Sequence, residues 1–72
     1  MPTMPPADNS AAPGEVFFEF TAIGPNVKVV AIDAATGVEV SVVGPASAAK
    51  IDLQRLALQK LKARLKRESA RD

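Results

Sequence analysis

Glu19 and Glu39 are the first residues to test for chemistry, because each sits inside a run of strand-forming residues, "EVFFEF" and "VEVSVV". Pairing Ile23 with Lys28 across one turn, and Asp33 with Val38 across the next, puts both carboxylates beside Ile32. They then share one row, two strand spacings or roughly 10 Å apart. Inverting glycosidases hold their acid and base about 6.5–9.5 Å apart. Such chemistry also needs an enclosed site, and an open sheet offers no cleft and no ring to stack on a sugar. The two glutamates read as rim charges.

Other catalytic sets are missing. The chain has no His, Cys or Tyr, so the usual general bases, thiol nucleophiles, disulfides and zinc sites are excluded. Its glycines, at positions 14, 24, 37 and 44, match neither a phosphate-binding loop nor a dinucleotide fingerprint. The expectation is a protein that is not an enzyme and has no cofactor and no metal.

Charge is the remaining chemical signal. Residues 1–49 hold one Lys against five acids, and residues 50–72 hold eight Lys or Arg against three, so nets of −4 and +5 hide inside an overall +1. On a helix the cations fall in two lines, with Arg55, Lys62 and Lys66 on the far side and Lys60, Arg67 and Arg71 along a flank. That pattern fits a nucleic-acid or anionic-membrane surface. It better fits a solvated face whose cations gather near the helix C-terminus, where the macrodipole favours them. An acidic sheet would repel DNA, so nucleic acid is the alternative and not the favoured partner. Membrane insertion is disfavoured because the apolar stripe has no Trp or Phe and is needed by the sheet.

These residues need elements to position them. A chain of 72 residues forms one small domain whose core alone is marginal. Domains below about 70–80 residues usually add disulfides, a metal or a partner, and here association is what remains. The start, "MPTMPPADNSAAPG", has neither the basic nor the apolar region of a secretory signal. No apolar run reaches the 18 residues of a membrane span. The cytoplasm is the expected location.

Residues 1–14, with four prolines among small polar residues, predict a disordered tail. Three runs rich in Val, Ile and Phe follow: "EVFFEFTAI", "VKVVAID" and "VEVSVV". The turn "GPN" and the loop "DAATG" between them are short enough to demand antiparallel pairing. "GPAS" closes the strands, and Ser47 is the expected N-cap of a helix over residues 48–68. Leu53, Ala57, Leu61 and Leu65 line one helix face, widened by Ile51 and Leu58 to an apolar arc of roughly 160°. Ile51, Leu58 and Leu65 also recur at seven, over too few heptads for a coiled coil.

Both hairpin registers place Val16, Phe18, Phe20, Val29, Ala31, Val38, Val40 and Val42 on one face, which the helix must cover. The other face carries Phe17, Val30, Ile32 and Val43 at its centre with charges around them. An apolar centre with a polar rim is the anatomy of a protein contact, so these four residues form the candidate interface. The candidate anionic-partner surface is Arg55, Lys60, Lys62, Lys66 and Arg67.

The acidic-aromatic first strand, the "AIDAATGVEV" hairpin and the "GPASA" before a basic helix resemble a family of small uncharacterised alphaproteobacterial proteins, over roughly residues 15–67. The resemblance implies no activity and assigns no site residues. The expected architecture is α+β: a three-stranded antiparallel meander over 15–68 with one C-terminal helix packed on one face, oligomeric, with residues 69–72 frayed. The expected function is a small interaction or structural module that self-associates, as a homodimer, or docks on a larger protein.

Overall fold

The computed structural model describes residues 15–70; the expected disordered tail over residues 1–14 lies outside them, as do residues 71–72. Strands β1 (Val16–Ile23), β2 (Asn26–Asp33) and β3 (Glu39–Pro45) precede one helix, α1 (Lys50–Ala70). The strands form one antiparallel sheet in the order β1-β2-β3. This is the expected α+β meander with a C-terminal helix. The helix is continuous through Ala70, so residues 69 and 70 belong to it.

The β1–β2 register differs from expectation by two residues. Ile23 pairs with Asn26, Phe20 with Val29 and Phe18 with Ala31, where Ile23 was expected opposite Lys28. The cause is a tighter turn. Gly24 takes φ +55°, and Pro25 cannot follow it to positive φ, which makes Gly24-Pro25 a two-residue type II′ hairpin turn. Asn26 is therefore the first residue of β2 and not part of the loop. A slip of two keeps every side chain on its face and changes only the rows.

The β2–β3 register is the expected one, with Ala31 opposite Val40 and Val29 opposite Val42. Its loop is pinned by Asp33, whose buried carboxylate accepts hydrogen bonds from the Thr36 amide (3.0 Å) and the Thr36 hydroxyl (2.7 Å). The Asp33 amide donates to Val38 O at 2.8 Å, and the Gly37 amide donates to Asp33 O at 2.8 Å. A carboxylate with local donors satisfies the loop backbone where no strand can.

The helix starts two residues later than expected, because Ser47 is not its cap. Ala49 O accepts from the amides of Asp52 (3.0 Å) and Leu53 (3.3 Å), which puts Ala49 at the N-cap, and Ala48 donates to Pro45 O across the turn holding Ser47. Leu53, Ala57 and Leu61, four residues apart, are buried with Val29, Ala31 and Val40 to form the core. Leu65, Val16, Phe18, Val27, Val38 and Val42 pack around it, partly buried. Ile51, expected to widen the buried stripe, is 50% exposed. The helix lies across β2 and β3, so its flank over β1, where Ile51 and Leu58 project, passes beyond the sheet area it covers.

Candidate interaction surfaces

The open face of the sheet carries the odd-numbered residues of β1 and β3 and the even-numbered ones of β2, as strand alternation requires. Its rows are Phe17–Ile32–Glu39, Glu19–Val30–Ser41 and Thr21–Lys28–Val43. Phe17 and Ile32 are direct neighbours, Val30 lies diagonal to both Phe17 and Val43, and so the four candidate residues form one diagonal band. Phe17 is 52% and Val43 60% exposed, while Val30 and Ile32 are half-buried. Glu19, Glu39, Lys28 and Thr21 flank the band. No segment among the described residues covers this face, because the helix occupies the other one.

Glu19 and Glu39 do not share a row. Glu39 stands opposite Ile32 and Glu19 opposite Val30, so the two-residue register change sets the carboxylates on a diagonal, further apart than two strand spacings. The geometry that resembled an acid–base pair is absent, and both glutamates are exposed. Among the described residues no group of three His, Cys, Asp or Glu could hold a metal ion, and no helix is long and apolar enough to cross a membrane.

The helix-covered face is left unfinished on the β1 side. An open groove of about 300 Å³ runs between β1 and the helix, lined by Val16, Phe18, Asp33, Leu58, Leu61, Lys62 and Leu65. At the other end of β1, Phe20 is 38% exposed and the Lys50 ammonium stands 5.8 Å from its ring centroid, within cation–π range. Sequence reasoning placed Phe18 and Phe20 in the covered core. The offset of one helix over a three-stranded sheet is what leaves them at its margin. Ile23, also on the open face, is exposed as well and was not among the candidates; its place as the last apolar residue before Gly24 was the available signal.

The cations of the alternative surface are all exposed: Arg55, Lys60, Lys62, Lys66 and Arg67. They do not act as one patch. Lys60 Nζ donates to the backbone carbonyl of Ser41 at 2.7 Å, which ties it to the edge of β3, and Lys62 borders the β1 groove. Arg64 is paired with Glu68 at 2.9 Å. Arg55, Lys62 and Lys66 remain as a line along the solvent side.

Neither a curated protein nor a solved structure matches the chain. A family model described as a domain of unknown function, DUF6898, matches residues 13–68, a span that holds all three strands, both hairpins and nearly the whole helix. The chain belongs to the DUF6898 family.

Proposed function

We propose that this protein is a small, non-catalytic interaction module of the cytoplasm that docks on another protein through the open face of its sheet. The observation that carries the reading is the exposure of Phe17 and Val43 at the two ends of an apolar band on a face the helix leaves bare. Large apolar side chains in a diagonal series with charged flanks suit a contact whose centre is dry and whose rim sets orientation. A domain of this size gains from such a contact, since its own core is small. A polyanion partner has less support, because Lys60 and Arg64 already have protein partners.

The test is a photo-crosslinking amino acid placed at Phe17 and, separately, at Arg55, in the native cell. Crosslinks from position 17 to protein, with none to nucleic acid from position 55, are the expected result. Crosslinks to nucleic acid from position 55 alone would overturn the reading.

A further inference from the structure

The two edges of the sheet are treated differently, and the difference points to a second interface. In the β2–β3 ladder the Asp33 amide bonds Val38 O, so Val38, Val40, Val42 and Gly44 turn their backbone groups toward β2. Glu39, Ser41 and Val43 turn theirs outward. Lys60 crosses that outer edge and occupies the Ser41 carbonyl, and Pro45 ends the strand with no amide to donate. A lysine and a proline are two of the devices that keep an edge strand from pairing. β3 is closed.

Among the described residues, β1 has no such protection. The Ala34 amide donates to Glu15 O at 3.0 Å, which sets the alternation: odd residues of β1 face β2, and Val16, Phe18, Phe20 and Ala22 direct their amides and carbonyls outward. Val16–Ile23 contains no Pro, no Gly and no Lys, and six of its eight residues are the strong strand formers Val, Phe, Thr and Ile, the other two being Glu19 and Ala22. Beside this edge lie the groove, the exposed Phe20 ring and the helix line of Ile51 and Leu58. A bare strand edge and an unfilled apolar margin coincide.

We infer that β1 pairs antiparallel with β1 of a second copy, joining two sheets into one of six strands. The strand is complementary to itself. A two-fold pairing centred on Phe18 sets Phe18 against Phe18, Val16 against Phe20 and Phe17 against Glu19. One centred on Phe20 sets Phe20 against Phe20, Phe18 against Ala22 and Glu19 against Thr21. Both join apolar residues on the helix side and keep Glu19, the one charge inside β1, from its own image. Centring on Glu19 would oppose like charges directly, so it is disfavoured. The copy's Phe18 and Phe20 arrive one strand spacing, about 4.8 Å, outside β1, on the open side of the groove. This interface is independent of the open-face contact, which stays available on the joined sheet.

The experiment is amide hydrogen exchange by NMR on the full chain at high and low concentration, with sedimentation to fix the oligomeric state. The expected result is a dimer in which the Phe18 and Phe20 amides are protected, with exchange at least about tenfold faster on dilution to monomer. Phe20→Pro removes an amide that the intrachain ladder does not use, a substitution an edge strand tolerates, and is expected to give a folded monomer. Val30→Lys, on the open face, is expected to leave these amides protected. A monomer at millimolar concentration overturns the inference. So does a dimer whose Phe18 and Phe20 amides exchange freely, which would be joined by the open face instead. Protection that is independent of concentration and lost on deleting residues 1–13 would assign the edge to the chain's own N-terminal segment and overturn it as well. These readouts use the unmutated protein, so a Phe20→Pro variant that fails to fold does not spare the inference.

Discussion

Leu53 packs directly on the backbone of Gly44: a Cβ built at Gly44 would stand 2.5 Å from Leu53 Cδ2. Leu53 is in the core beside Ala57 and Val40, so it has little room to swing away. Gly44 thus admits the first turn of the helix against the end of β3, and its role is close approach. Gly44→Ala is expected to cost about 1–3 kcal/mol, the usual range for overpacking. A urea melt checks it, and an unchanged midpoint would mean that the helix start sits further from the sheet.

Leu61 should be the most sensitive aliphatic residue on the helix. Its side chain is fully buried and it also walls the β1 groove. Leu61→Ala is expected to cost about 2–5 kcal/mol, a large share of the stability of so small a domain. Leu56, half-exposed on the flank away from β1, is the control, and Leu56→Ala should stay within about 0.5 kcal/mol. Thermal melts of the two variants side by side decide the matter.

Asp33 holds the second hairpin through its carboxylate. Removing it in Asp33→Ala leaves the Thr36 amide without its acceptor, at an expected cost of about 1–3 kcal/mol. Thr36→Val removes the hydroxyl that donates to Asp33 and accepts from the Val38 amide at 3.2 Å. In a double-mutant cycle the two changes should be strongly non-additive, because they break one network. Additive losses would place the Asp33 carboxylate elsewhere.

The parts of this fold that could be read from sequence are those that depend on period two. Alternation puts Phe18, Val29 and Val40 on one face and Phe17, Val30 and Ile32 on the other, and the structure keeps all six where parity places them. Parity cannot separate registers that differ by two, however, and the choice between them rested on the turn. Gly24 and Pro25 fit a tight type II′ turn or a longer loop containing Asn26, and strand pattern does not arbitrate. That ambiguity carried into the site, since Glu19 and Glu39 share a row in one register and lie on a diagonal in the other. Helix placement was legible in its axial stripe, Leu53 to Leu61, but not in its lateral offset. Ile51 has the spacing of a core residue and stands half in solvent because one helix spans only β2 and β3. Ser47 has the chemistry of a cap, but the turn between Pro45 and Ala48 delays the helix past it.

The final prediction concerns Val30, which joins the Phe17–Ile32 pair to Val43 across the open face. It lies in the central strand, opposite Glu19 of β1 on one side and Ser41 of β3 on the other, and its side chain is half-buried among that face's own residues, away from the helix-side core. Val30→Lys therefore sets an unpaired cation in the middle of the proposed contact while leaving Leu53, Ala57 and Leu61 undisturbed. A buried charge without a partner is costly in an interface, whereas on a free surface the long aliphatic stem can carry the ammonium into water. The variant is expected to keep its circular dichroism spectrum and melt within a few degrees of the parent, yet lose the crosslink from position 17. Retention of that crosslink at full yield would remove the open face from the interaction. Loss of both fold and crosslink would be resolved by Val30→Thr, which keeps the β-branched shape, should fold, and should weaken the contact only partially.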